Sequence, residues 1–246
     1  MVDLELSEAA GAEGMERPFI SVILPALDEE KAIGQLILEI ASVLSSPRLP
    51  FEIIVVDDGS TDKTIEVARR AGAVVLSNGC NKGKGYCLRK GLTNARGDII
   101  VTMDSDGEHK PKDIIRLLRP AFRGVDVVAG SRFLNGDTNF TSKIHLTGNH
   151  LFNFSIMILT GKRVSDSQTG FRVLKRKVID SLRLQSDGYE IETEITVKSI
   201  KNGFTFKEVP ITIRRREYGI SRIRMLSDGR KILKTIVTSS LSEIAQ

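Results

Sequence analysis

The sequence predicts an α/β fold, a mainly parallel, doubly wound, Rossmann-like sheet with helices on both faces, and three observations carry it. Short continuous apolar runs rich in β-branched residues recur through the first half, stretches of helical periodicity fill the intervals, and the runs end repeatedly in charged residues. Parallel strands need crossover helices, so this alternation selects a parallel sheet over hairpins. Ligands of such sheets bind at the strands' carboxyl ends.

The elements follow in order. Residues 1–17 read as a flexible leader with little to bury. The first strand, Phe19 to Leu24, is stopped by Pro25, and Glu29 to Leu44 has helical spacing through Ile33, Leu36, Ile37 and Ile40. The second strand, Phe51 to Val56, ends in Asp57 and Asp58 before a helix that Ser60 or Thr61 caps. A third strand spans Ala73 to Leu76, a helix Lys84 to Asn94, and a fourth strand residues 98–103. Helix Asp113 to Phe122 and strand Asp126 to Gly130 complete the alternation. Beyond them lie an apolar helix at Ser142 to Thr160, a polar loop at Asp166 to Arg172, and helices at Lys175 to Leu182 and Tyr189 to Lys201. One or two strands around Pro210 and a basic amphipathic helix, Arg224 to Ser239, close the chain.

At 246 residues the chain suits one large α/β domain, or one domain with a small appendage. The net charge of +5 is concentrated between Lys198 and Lys234, where Arg214, Arg215, Arg216, Arg222, Arg224, Arg230 and Lys231 point to a phosphate-rich partner. Few aromatics accompany them, so nucleic acid is not the expected partner. Cys80 and Cys87 fit neither a zinc ribbon nor a disulfide framework, and a reducing cytosol is expected. The N-terminal segment lacks a signal pattern, and no apolar run reaches the roughly 20 residues of a spanning helix. The helix at 142–160 is either core or an interfacial membrane helix.

The chemistry concentrates in MDSDGEH. An Asp-x-Asp at a strand's exit aims Asp104 and Asp106 at one point, and hard-oxygen clusters of this kind suit Mg²⁺ or Mn²⁺; the alternative is a solvated turn before the next helix. Asp28, Glu29, Asp57, Asp58 and Arg132 fall at the same predicted sheet edge, which favours a shared site. Neither G-x-G-x-x-G after the first strand nor a Walker loop is present, so dehydrogenase and P-loop chemistry are disfavoured. An acid after the second strand can instead hold a base or ribose while a metal holds a diphosphate, and these residues point to a nucleoside-diphosphate donor.

PALDEE, VVDDGSTDKT, the Gly83-Lys84-Gly85 loop, MDSDGEH and AGSRF occur in this order at family spacing. The chain resembles glycosyltransferase family 2, the inverting GT-A enzymes, and within it the dolichyl-phosphate mannose synthase and polyprenyl-phosphate glycosyltransferase branch, over residues 18 to about 225. The resemblance implies a GT-A catalytic domain at 18–222, with a donor half at 18–133 and a smaller acceptor half at 134–222, followed by the basic helix at 223–246. It implies that Pro25, Leu27 and Glu29 frame the donor's base and ribose, that Val56 and Asp58 contact the base with Asp57 beside them, and that Lys84 joins the donor set. Asp104 and Asp106 match the metal-and-diphosphate motif, and Glu108 stands where mannose synthases commonly carry Gln as a further ligand. Arg132 matches an arginine contacting phosphate near the acceptor, and Arg216 and Arg222 bracket YGIS close to the diphosphate.

The implied reaction transfers a sugar from GDP-mannose or a UDP-hexose to a polyprenyl phosphate, using Mg²⁺ or Mn²⁺, on the cytosolic face of a membrane to which the protein binds peripherally. An ionised phosphate needs no strong base, so the protein mainly positions and neutralises charge. Asp166 is a base for a hydroxyl acceptor, an orienting residue, or a loop acid near Thr169. A soluble acceptor and a non-catalytic nucleotide-sugar binding module are the alternatives.

Overall fold

The computed structural model describes residues 17–46, 49–135, 143–214 and 225–241. Strands β1 (Ile20–Ala26), β2 (Phe51–Asp57), β3 (Val74–Ser77), β4 (Ile99–Thr102), β5 (Val127–Ser131), β6 (Arg172–Lys175) and β7 (Phe206–Pro210) form one sheet in the order β3-β2-β1-β4-β6-β5-β7. Helices α1 (Ile33–Ser45), α2 (Thr64–Arg70), α3 (Lys84–Asn94), α4 (Asp113–Phe122), α5 (Lys143–Thr160), α6 (Arg176–Ser181), α7 (Ile191–Lys201) and α8 (Met225–Leu241) surround it. Strands expected in both the donor and acceptor halves thus share one sheet.

Alternation along the central strands feeds two cores. Ile20, Val22 and Leu24 of β1 pack with α1 and α4 on one face, while Ile23 packs with Leu88 and Leu92 of α3 and Ile191 and Ile195 of α7 on the other. Each of these fully buried aliphatic side chains stabilises the fold by about 1.5–3 kcal/mol.

Pairing is parallel for β3-β2-β1-β4 and for β5-β7, whereas β6 runs antiparallel to both β4 and β5. The polar 166–172 loop therefore runs into a short strand, Arg172–Lys175, where the sequence reading has only the end of the loop and the start of a helix. Its reversal has a functional consequence. The carboxyl ends of β1, β2, β4 and β5 share one edge, and β6 starts from that edge, so the loop before it joins them.

Two further expectations change. The first helix starts at Ile33, because residues 29–32 form a turn in which Ile33 N–H and Ala32 N–H both donate to Glu29 C=O. Helix α5 is not simply a core helix: Leu151, Phe154, Ile158 and Leu159 are exposed, and its buried stripe contains Asn149, Asn153 and Ile156. The expected leader, apart from Arg17, and both Arg216 and Arg222 lie outside the described residues. Among the described residues no helix is long and apolar enough to cross a membrane.

Candidate active site

The first wall of the site is two strand-end loops laced together. Asp28, in the left-handed region at φ 56°, accepts from Thr61 N–H at 2.8 Å, while Asp28 N–H donates to Ser60 Oγ at 2.9 Å and Glu29 N–H to Thr64 Oγ1 at 2.7 Å. PALDEE and DDGSTDKT therefore form one rigid rim carrying Pro25, Leu27 and Glu29.

The two aspartates ending β2 have separate tasks. Asp57 is fully buried and accepts from Gly59 N–H at 3.1 Å, Ser60 N–H at 3.2 Å and Ser77 Oγ at 3.3 Å, so it builds the turn. Asp58, beside the buried Val56, accepts from Lys82 N–H at 2.8 Å, Gly83 N–H at 2.9 Å and Asn78 Nδ2 at 3.0 Å. That contact fixes the loop leading into α3. Cys87, beneath it, is buried, and burial together with Asp58 pushes its thiol pKa well up; Cys80 is exposed and both thiols are free.

Lys84 begins α3 and reaches across the site. Its Nζ lies 2.5 Å from Asp104 Oδ1 and 2.7 Å from Glu192 Oε1. The flanking glycines are required by backbone approach. Gly83 has φ 101°, and a Cβ there would meet Asp187 O at 2.3 Å; one at Gly85 would meet Ser186 O at 2.5 Å. Asp187 C=O accepts from Gly85 N–H at 2.8 Å and Tyr86 N–H at 3.2 Å, so a neighbouring loop satisfies donors at this helix start.

Strand β4 ends at Thr102, so Asp104 and Asp106 lie in the following turn and strand alternation does not align them. Between them Ser105 Oγ donates to Pro25 O at 2.7 Å, pinning the turn to the rim. Asp104 rests on the Gly170 backbone, where a Cβ would lie 2.5 Å from Oδ1. Burial pushes the Asp104 carboxyl up, but Lys84, His109 and Arg132 outweigh it and bring it down to about 2. Asp106 Oδ1 accepts from Glu108 N–H at 3.0 Å. His109 is buried against Phe171 with ring centroids 5.2 Å apart, and burial lowers its pKa against the pull of Asp104 and Asp106.

The expected three-ligand cage of Asp104, Asp106 and Glu108 is not assembled: among the described residues, no group of three or more His, Cys, Asp or Glu side chains is placed to hold a metal ion. The donor chemistry still fits Mg²⁺ or Mn²⁺ completed by substrate phosphate, since such ions are commonly held by one or two carboxylates plus phosphate oxygens.

Arg132 follows β5, and its charge helps lower the Asp104 pKa. Its Nε donates to Asp166 Oδ2 at 2.7 Å and its Nη2 to Asp166 Oδ1 at 2.8 Å. Asp166 is fully buried and is itself fixed through its N–H, which donates to Glu208 Oε1 at 2.9 Å. Asn153 Nδ2 and Asn149 Nδ2 of α5 both donate to Ser165 C=O, at 2.7 and 3.3 Å, and tie this loop to the helix. Arg172 is also fully buried, donating to Ser167 C=O, Thr169 C=O and Thr196 Oγ1.

Glu192, Glu208 and Gly170 were missed by sequence reasoning. For Glu192 the available signal was YEIETEI, three acids interleaved with apolar residues in a helix; Glu190, Glu192 and Glu194 are all buried. Arg214, read as part of a phosphate-facing cluster, instead pairs with Glu39 at 2.9 Å.

The mostly parallel sheet, with its polar residues gathered at one carboxyl edge, has the GT-A fold. Residues 21–183 match Glycosyl transferase family 2, and the chain belongs to that family. It is 36% identical over 233 residues to an uncharacterised protein of Methanocaldococcus jannaschii, covering 90% of this chain and 92% of the relative. It is 30% identical over 221 residues to the polyprenol monophosphomannose synthase of Mycolicibacterium smegmatis, covering 82% and 80%. Its fold is similar to glucosyl-3-phosphoglycerate synthase from Mycobacterium tuberculosis, solved with Mn²⁺, UDP and phosphoglyceric acid, at TM-score 0.76 and 23% identity over 99% of this chain and 84% of that one. The chain spans only 53% and 51% of the length of two other curated relatives.

Proposed function

We propose that this chain transfers a sugar, with inversion, from a nucleoside-diphosphate sugar to a polyprenyl phosphate at a membrane surface. The observation that carries this reading is that Arg132, anchored by both oxygens of Asp166, follows β5 at the same carboxyl edge of the sheet as the Lys84–Asp104 pair, near enough for its charge to help lower the Asp104 pKa. One end of such a site suits a leaving diphosphate and the other an incoming phosphate. The curated relatives of the polyprenyl-phosphate branch support the acceptor class.

In this reading Asp58 and the rim carrying Pro25, Leu27 and Glu29 bind the nucleoside, with Asp57 shaping the turn behind them. Asp104 and Asp106 hold a divalent ion, which when bound compensates the charge of the leaving diphosphate. Glu108 is an outer member, and Arg216 and Arg222 belong to the diphosphate side. Arg132 orients the acceptor phosphate, whose ionised oxygen needs no general base. Asp166, with both oxygens engaged by the guanidinium, acts as the orienting residue.

Leu151, Phe154 and Ile158 of α5 and Leu233, Val237 and Leu241 of α8 are exposed, with Arg230, Lys231 and Lys234 also exposed on α8. Apolar rows beside cations suit an anionic lipid surface, which supports peripheral membrane association.

The test is a labelled-donor panel of GDP-mannose, UDP-glucose and UDP-N-acetylglucosamine with dolichyl or undecaprenyl phosphate. Label in the organic phase supports the proposal. Label only in a water-soluble product overturns the lipid acceptor, and nucleotide binding without any turnover makes the chain a binding module.

A further inference from the structure

The buried ion group formed by Lys84, Asp104 and Glu192 goes beyond the roles assigned above. Two carboxylates converging on one point repel unless a cation lies between them. Here the protein supplies that cation itself, with the Lys84 ammonium 2.5 Å from Asp104 and 2.7 Å from Glu192 and the Tyr189 ring 5.8 Å away. Neither partner of the Asp104 contact is placed by chance. The Lys84 backbone is clamped between two glycines against residues 186–188, and the Asp104 carboxylate is seated on Gly170. The 186–188 loop leads directly into α7, whose first turn carries Glu192, so one segment fixes both the base of the lysine and its second carboxylate.

We propose that Lys84 is the internal counter-ion of Asp104 in the free protein, that Glu192 is the positioning residue that shares the ammonium and keeps it from pairing with Asp104 alone, and that the Lys84–Asp104 contact opposes a divalent cation until a diphosphate draws the ammonium away. The inference rests on the proposed metal and diphosphate site. A divalent ion approaching Asp104 meets a carboxylate already paired, with a positive charge only a few ångströms off. At that range and in a partly desolvated site, one unit charge changes cation affinity by an amount comparable to or a few times thermal energy. Once a diphosphate is present, Lys84 has a third anionic partner, and Glu192 retains the ammonium at the site while Asp104 turns to the metal. Metal and diphosphate thus bind cooperatively, and part of that coupling resides in Lys84, which pairs with Asp104 in the free protein and with the diphosphate in the complex.

The experiment is a Mn²⁺ titration of the full chain without nucleotide, read by the electron paramagnetic resonance signal of free Mn²⁺ and repeated with UDP and with GDP. Thermal melts establish that each variant is folded. Lys84→Met binds Mn²⁺ roughly tenfold tighter than wild type without nucleotide, and Lys84→Gln, which retains a polar side chain, also tightens binding should the Met variant fold poorly. Glu192→Gln binds about threefold more weakly, because the ammonium is left to Asp104 alone. Opposite shifts are not produced by general loosening of the site. If wild type binds Mn²⁺ and neither Lys84 variant binds it tighter, the counter-ion role is overturned and the metal site stands. Unchanged or tighter binding by Glu192→Gln overturns the positioning role. If wild type and every variant bind no Mn²⁺, even with UDP or GDP, the metal reading fails and this inference fails with it.

Discussion

Asp166 grips Arg132 with both carboxylate oxygens, at 2.7 and 2.8 Å, and does so from full burial while the arginine side chain keeps 26% of its surface exposed. The acid lies beneath and the guanidinium faces the site. A two-point contact fixes the plane of the guanidinium as well as its position.

Asp166→Asn should therefore lower turnover about 100-fold while costing about 2 kcal/mol of stability, less than a fully buried pair because water reaches the arginine. Steady-state kinetics and urea unfolding check both halves. A variant losing stability alone would mean that the aspartate is only a structural anchor.

Gly170→Ala places a methyl group where the Asp104 carboxylate rests, 2.5 Å from Oδ1. The side chain must swing off that seat, which the fold tolerates and the site does not. Expected is a fall in kcat/KM of about tenfold with a melting temperature within about 4 °C of wild type.

Asp106→Ala should abolish turnover without unfolding the chain, and chelation with EDTA should do the same to wild type, reversed by added Mn²⁺ or Mg²⁺. Turnover that persists in chelator would remove the metal from the mechanism.

Glu194 supplies a pH prediction away from the chemistry. Burial pushes its carboxyl up, but contacts from Lys198 Nζ at 2.6 Å and Ser186 N–H at 2.8 Å prevail and lower its pKa from 4.5. Below pH 4.5 the unfolded chain takes up this proton more readily than the folded one. The stabilisation is fully present above that pH and is lost as pH falls through the lower folded value. Glu194→Gln should flatten the stability profile in that acid window, measured by chemical unfolding at a series of pH values.

The strand ends were legible because their information is local: a continuous apolar run stopping in carboxylates gives both a strand and its polar mouth, as at Asp57, Asp58 and Asp104. Strand β6 was not, because Arg172–Lys175 is too short to announce a pairing partner and its place between β4 and β5 is decided by tertiary contact. YEIETEI signalled that Glu192 is unusual, but its pairing was illegible for the same reason, since it depends on Lys84, far away in sequence and 2.7 Å away in space. Arg214 misled in the opposite direction: clustered charge suggested phosphate, and its nearest use is Glu39.

Because β6 descends from the edge where β5 ends, the intervening chain leaves and re-enters at nearly one place, fastened by Arg132 to Asp166 and by Ser131 Oγ to Ser165 Oγ at 2.6 Å. The sheet consequently imposes no span that residues 133–164 must cover, and closing a longer or shorter excursion changes the entropy only slowly. Any change of length in that segment must spare these two fasteners and the buried stripe of Asn149, Asn153 and Ile156 on α5, and what lies between them is unconstrained by the sheet.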